Sequence, residues 1–315
     1  MNVTKSSQTI PLLLLLITLV MMATSADAQT TNGNLDANGM AFLKLNGASD
    51  AFALGDIHVA GIDASGGLRA NPALLVGNRD ARLGFAYGLL PTLGNTDLIT
   101  ASTTAGSDFS LGISAYILRN GELEVRTAPS TDPLSTSIPQ NFAVGLTASV
   151  NIFDSLSVGM TIKWLNEKIT IYNADGLGFD LGLHYIFSSE YQAAIAVQDL
   201  GSMSKLGNDA TVLPGRATAT FVAAPSFLSG SDIQTKFLLS HQIPLKGDVS
   251  HTSVGVAASY KNTVEARVGY VTHFDTRSIT FGVGLRYKFL NFNYAFAPSI
   301  NGFNSTNVFG LNVSF

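Results

Sequence analysis

Ile279-Thr280-Phe281-Gly282-Val283-Gly284-Leu285-Arg286-Tyr287-Lys288-Phe289 is the stretch that decides the fold. Every second residue is large and apolar, and the residues between are Thr, Gly, Arg and Lys. Alternation with a period of two describes a strand that presents one apolar face. The pattern recurs in Leu177, Phe179, Leu181, Leu183, Tyr185 and Phe187, which alternate with Gly178, Asp180, Gly182 and His184. It recurs again in Phe142 to Val150, in Leu156 to Trp164 and in Arg82 to Leu89. A soluble strand also buries an apolar face. Repetition along the whole chain with few residues between segments is instead the pattern of a transmembrane barrel, built of ~10-residue strands.

Composition points the same way. Of the 315 residues, 13% are charged and 46% hydrophobic, with a net charge of −4. Globular chains average about 25% charged residues, so much of this surface need not face water. The balance excludes a nucleic-acid binder and a disordered tail. The one long apolar run, Pro11 to Met22, follows Lys5 and precedes Ala26-Asp27-Ala28, which reads as a signal peptide over residues 1–28, cleaved near Ala28. Its removal takes one base and one acid. With zero cysteines there is no disulfide, thiolate metal site or thiol catalysis. A secreted, charge-poor chain without a spanning helix enters a bilayer as a closed β-barrel.

Tight connections should lie on the periplasmic side and longer ones outside. The final Phe309-Gly310-Leu311-Asn312-Val313-Ser314-Phe315 resembles the C-terminal signal, ending on Phe315, that the barrel-assembly machinery reads. Counting back from it places Leu290-Asn291, Lys261-Asn262, Ser188-Ser189-Glu190 and residues 152–154 at periplasmic turns, and residues 128–139, 199–214 and 242–249 outside. Parity then requires residues 108–127 to be one strand bent at Asn120-Gly121, for about 14 antiparallel strands over residues 80–315. Residues 29–79 are too long and too rich in apolar clusters for a tail. They are expected to fold into the lumen as a plug or hatch, with Phe42, Leu43, Phe52 and Leu54 buried and Asn71-Pro72 turning the chain into the first strand.

Alternation places Arg82, Lys163, Glu167, Asp180, His184, Lys236, Glu265, Arg267, Arg286 and Lys288 on the lumen side. Cross-strand charge pairing accounts for them more readily than a substrate site does. Asp180 and His184 are about 13 Å apart along a strand, too far to form a dyad. No catalytic, cofactor or metal site is expected, and the chain does not read as an enzyme. The inward glycines either relieve crowding or leave room for the plug backbone. Thr280, facing inward, is expected to tolerate Arg, whereas Arg at the lipid-facing Phe179 or Val283 should not be tolerated.

Ala41-Phe42-Leu43-Lys44, Ala53-Leu54-Gly55 and Asn71-Pro72-Ala73 together resemble the N-terminal motif of the PorV/PorQ family, a branch of the FadL-like outer-membrane barrels. Gly178 to Tyr185, Val197-Gln198-Asp199-Leu200-Gly201, Leu213-Pro214, Phe281 to Tyr287 and Asn293 to Pro298 are similar to its downstream motifs, so the resemblance covers residues 40–315. Asp56 departs from it, standing where the family usually has a second Gly. The resemblance implies a protein of the Gram-negative outer membrane, surrounded by lipid, that serves type IX protein secretion beside other secretion-system subunits and engages exported cargo domains. FadL-like passage of a hydrophobic small molecule and a structural role are the alternatives.

Overall fold

The computed structural model describes residues 39–57, 64–77, 81–90, 94–126, 132–230, 232–246, 249–274, 277–300 and 304–315. The expected signal peptide, the first ten residues of the expected hatch and part of the expected 128–139 loop lie outside them.

Sixteen strands follow in chain order: β1 (Arg82–Leu90), β2 (Gly94–Ala105), β3 (Phe109–Arg119), β4 (Leu123–Val125), β5 (Ser135–Ser137), β6 (Gln140–Phe153), β7 (Leu156–Ile169), β8 (Tyr172–Ile186), β9 (Tyr191–Met203), β10 (Arg216–Ala223), β11 (Ile233–Pro244), β12 (His251–Tyr260), β13 (Val264–Val271), β14 (Ile279–Tyr287), β15 (Leu290–Ala297) and β16 (Thr306–Ser314). All but β4 and β5 form one closed antiparallel barrel of fourteen strands. It closes where β1 meets β16, with Arg82 opposite Ser314 and Leu89 opposite Asn307. The Phe315 N–H completes the seam by donating to Ala81 O at 2.9 Å. Closure leaves no sheet edge, so backbone groups are satisfied between strands.

The expected alternation is present. Leu83, Ile113, Leu146 and Val283 point outward at 50%, 50%, 61% and 54% exposure, while Thr147, Thr161 and Thr280 point inward and are buried. Apolar residues exposed all the way round a barrel suit lipid, not water. Among the described residues no helix is long and apolar enough to cross a membrane. Tyr185, Tyr287 and Phe289 are exposed near the tight turns, where an interfacial aromatic girdle belongs.

Three details differ from the sequence reading. Residues 108–127 are not one strand. Beyond Arg119, β3 has passed the ends of both β2 and β6, which pair it only as far as Asn95 and Gln140. With no barrel neighbour left, residues 123–125 pair with 135–137 in a separate hairpin, and the count stays even. Two of the expected turns shift: Leu290 and Asn291 belong to β15, the turn being Lys288-Phe289 with Lys288 at φ 53, and Ile152 and Phe153 belong to β6, the turn being 154–155. Lys288 therefore does not face the lumen; it is exposed, with its ammonium 5.4 Å from the centroid of the Tyr287 ring. Residues 199–203 and 242–244 continue β9 and β11 instead of forming loops. The Lys261-Asn262 turn is as expected, with both residues at positive φ, as the central pair of a type I′ turn requires, and Thr263 N donating to Tyr260 O at 2.9 Å.

The turns at 106–108, 154–155, 187–190, 261–263 and 288–289 share one end of the barrel with the longer link 224–232. The other end carries the longer connections, and also one tight turn at 170–171.

Inside the barrel lies an inner segment: a 3-10 turn (Ala41–Lys44), α1 (Ser49–Ala53), α2 (Ala64–Ala70) and a second 3-10 turn (Pro72–Gly77). α1 packs on β13 to β16, α2 on β1 to β3, and the 72–77 turn on β3 and β6 to β8.

Candidate functional site

The lumen and the segment that fills it form the candidate site. Toward the long-loop end, Met40, Phe42, Leu43 and Ala48 are buried against Ala86, Leu98, Tyr116, Leu118, Ala143, Leu165 and Leu213 of the wall and loops. Phe42 stacks on Tyr116, with ring centroids 5.0 Å apart. The Arg69 guanidinium lies 3.9 Å from the same ring. Arg69 also donates to Asn46 O, Leu43 O and Leu45 O, each at 3.1 Å, so one side chain staples the 43–46 loop. Gly47 turns here at φ +80, and a Cβ would strike the Tyr116 ring. The Glu167 carboxylate accepts from Met40 N at 3.4 Å.

Midway, Asn71 Nδ2 donates to Leu183 O and Ile195 O, both at 3.1 Å, and Asn71 Oδ1 accepts from Ala73 N at 2.9 Å. The approach is this close because Gly159 and Gly182 lack side chains. A Cβ on either would collide with the 71–73 backbone or the Asn71 side chain. At the other flank of the lumen, Ser253 Oγ donates to Gly55 O at 2.6 Å and Thr280 Oγ1 to Ala53 O at 3.0 Å. Arg277 pairs with Asp56 and lies over the Phe52 ring at 4.3 Å. Of the two readings of the inward glycines, room for the inner segment describes Gly112, Gly159, Gly182, Gly269, Gly282 and Gly310; Gly145 and Gly284 face wall side chains instead. Thr280 cannot tolerate Arg as expected, because it is fully buried under Ala53.

The plug candidates Phe42, Leu43, Phe52, Leu54, Asn71 and Pro72 are thus all buried inside the barrel. The lumen charges fall into groups. Lys163 Nζ meets Asp180 at 2.7 Å and also Asp199, and Arg216 Nη1 meets Asp199 at 2.6 Å. Asp199 N donates to Asp180 Oδ1 at 2.8 Å. Arg267 pairs with Glu265 at 2.6 Å. His184 hydrogen-bonds Gln192 Oε1 at 2.7 Å and does not approach Asp180. Arg82 is half-buried near the seam, while Lys236 and Arg286 join neither pair.

Sequence reasoning missed Asp199 and Arg216. A bulge opposite Asp180 puts both Gln198 and Asp199 on the inner face, with Asp199 at φ 57. Strict alternation would send one of them outward. It missed Arg69, Tyr116 and Arg277 as well: two lie outside strands, and Tyr116 looks like any aromatic of an alternating strand.

Between the inner segment and β9 to β11 is a cavity of about 40 Å³, lined by Lys44, Asn46, Arg69, Asn71, Arg216 and Thr218 among others. Asn46 Oδ1, Asp56 Oδ1 and Thr218 Oγ1, all at its wall, have no hydrogen-bond partner. A polar space of this size suits two or three waters, whereas a benzene-sized guest needs on the order of 150 Å³ of apolar space. On the short-turn side it is sealed by Leu54 and Ile57 against Val222, Leu238 and Ala257. The lumen therefore alternates an apolar chamber, a small polar cavity and an apolar seal.

No family model and no curated protein matches the sequence. Solved structures do match in fold. The Ralstonia pickettii toluene transporter TbuX superposes with a TM-score of 0.60 at 13% identity, covering 86% of this chain and 99% of that one. The CymD monoaromatic hydrocarbon channel gives 0.58 at 12% identity, covering 85% and 97%. A Pseudomonas aeruginosa FadL homologue gives 0.54 at 10% identity, over 85% and 97%. What these structures share with the chain is the fold, a barrel that superposes over most of this chain and nearly all of each of theirs. None of these likenesses favours PorV/PorQ membership or type IX secretion.

Proposed function

We propose that the chain is an outer-membrane channel for hydrophobic small molecules, gated by its inner segment. The observation that carries this reading is the apolar chamber at the long-loop end, which the chain fills with its own Met40, Phe42 and Leu43. A monoaromatic or similarly compact apolar solute matches that chamber in chemistry. For it to enter, residues 40–43 leave. For it to pass, α1 lifts from β14 to β16, where few direct polar bonds hold it. The long-loop end then faces the exterior, and the cationic short-turn end the periplasm. Secretion and purely structural roles have no feature of the lumen in their favour.

Locking the segment tests this. A Cβ on Gly310 would lie 3.3 Å from Ser49 Cβ, close to the ~3.5–4.5 Å that a disulfide needs. The chain has no cysteine to interfere. The double variant Ser49→Cys/Gly310→Cys is expected to block uptake of radiolabelled toluene when oxidised, in a Gram-negative host lacking its own hydrophobic-solute channels, and to recover it on reduction. Equal uptake in both states would overturn the reading.

A further inference from the structure

Toward the short-turn end the lumen gathers cations that nothing above uses. Lys236 on β11 and Arg267 on β13 both stand opposite Ala257 of β12. They lie at one level, two strands and so roughly 9–10 Å apart at the backbone, with only a methyl between them. Arg286 follows on β14, beside the 261–263 turn, where its N–H donates to Thr263 O at 2.7 Å. The charges acting on the Lys236 ammonium are those of Glu265, Arg286 and Arg267. Three cations thus face one carboxylate, and that carboxylate is engaged by Arg267 Nε at 2.6 Å.

Donors are left over. Arg267 Nη1 donates to Asn293 Oδ1 at 2.8 Å, which turns the Asn293 amide so that its Nδ2 is buried without a partner. Among the described residues, neither the Lys236 ammonium nor the Arg286 guanidinium has a hydrogen bond or ion pair. The free groups are all N–H donors, and the local charge is +2. A buried donor without an acceptor costs about 1–3 kcal/mol, more when it is charged. Water would satisfy the amide, but it leaves like charges facing one another. A group with two or three acceptor oxygens and negative charge answers both needs.

We propose that Lys236, Arg267, Arg286 and Asn293 form a binding site for a small oxyanion, carboxylate or phosphate, at the short-turn mouth of the lumen. The site is separate from the apolar chamber and does not depend on the hydrophobic-channel reading. Gly282 and Gly284 flank Arg267 on β14, and a Cβ on Gly284 would press on the Arg267 guanidinium. Bare backbone at Gly284 thus leaves room for the guanidinium against the wall.

The test is isothermal titration of the full chain in non-ionic detergent at low ionic strength, with inorganic phosphate in one arm and benzoate in the other. Saturable binding in at least one arm is expected. Phosphate alone would identify a free inorganic ion as the source of the oxyanion, and benzoate alone the carboxylate of an organic solute. Lys236→Met should weaken binding at least tenfold, and Lys236→Arg should keep it within about threefold. Asn293→Asp should abolish it, because a carboxylate on Arg267 takes the anion's place while the barrel keeps its fold. No saturable heat in either arm, chloride competing as well as the oxyanion, or unchanged affinity in both Lys236→Met and Asn293→Asp would overturn the proposal.

Discussion

Truncating Phe42 to Ala isolates what holds the inner segment in the apolar chamber. Phe42 is 2% exposed and stacks on Tyr116 at 5.0 Å. Replacing a buried Phe by Ala costs about 3–5 kcal/mol, part of it for the cavity left behind. At 1.4 kcal/mol per decade, that raises the population of segment-released barrel by roughly two to three and a half orders of magnitude. The barrel ladders are untouched, since every strand pair lies downstream of residue 81. Hydrogen exchange of residues 39–57 in micelles reads the change directly, with the amides of β14 and β15 as internal control. The space left by the Phe42 ring while the segment stays docked, bounded by Leu98, Tyr116, Leu118 and Leu165, is apolar and should admit toluene in place of that ring, which favours the docked state. A ligand at a hundred times its Kd restores about 2.7 kcal/mol, which is most of the loss. Faster exchange confined to the segment, slowed again by toluene, is the expected result. Unchanged exchange would show that the stack does not hold the segment. Faster exchange that toluene leaves unaltered would show that the chamber is not a site for apolar solutes.

Other expectations follow from the same geometry. Gly182→Val sets a side chain against Asn71; it should dislodge the 71–73 contact and raise planar-bilayer conductance while the barrel still folds. Deleting residues 30–60 should do so more strongly, and conductance equal to that of the intact chain would mean the segment does not occlude the lumen. Phe179→Arg or Val283→Arg should cost roughly 2–4 kcal/mol by urea unfolding in lipid if these positions lie near the midplane; a negligible cost would put the lipid face elsewhere. Asp199→Asn leaves Lys163 paired with Asp180 alone and removes the carboxylate that Arg216 meets, so about 3–5 kcal/mol of stability should be lost, and a loss under 1 kcal/mol would contradict a tightly paired, buried cluster.

The sequence made the barrel legible because the bilayer enforces one rule on every strand: apolar outward, small or polar inward. That rule holds only at bilayer depth. β9 continues to pair with β8 through Gly201, Ser202 and Met203, and no apolar alternation marks these three residues as strand. Residues 123–125 show the converse, since they carry the alternation but have no barrel partner. The apolar clusters at 42–43 and 52–54 were readable as buried because nothing else in so polar a stretch explains them. Which wall residues receive them was not readable, because those contacts join distant parts of the chain: Phe42 reaches Tyr116, and Ala53 reaches Thr280. The bulge at Asp199 hid half of the charged cluster, as it shifts the register by one residue without any change in composition.

Asp56 shows how the fold accommodates a departure from the motif it resembles. The residue sits at φ 68, in a region where Gly is at ease and Asp is among the better tolerated side chains. The strain of that backbone is offset by the ion pair with Arg277, whose guanidinium is held between the rings of Phe52 and Phe274, at 4.3 and 4.7 Å. Arg277 comes from the connection between β13 and β14 at the long-loop end, so the end of α1 is tied to that connection and not only to the wall. A Gly at position 56 would relax the backbone and release that tie. An acid there instead ties the end of α1 to Arg277 as well as to the barrel wall.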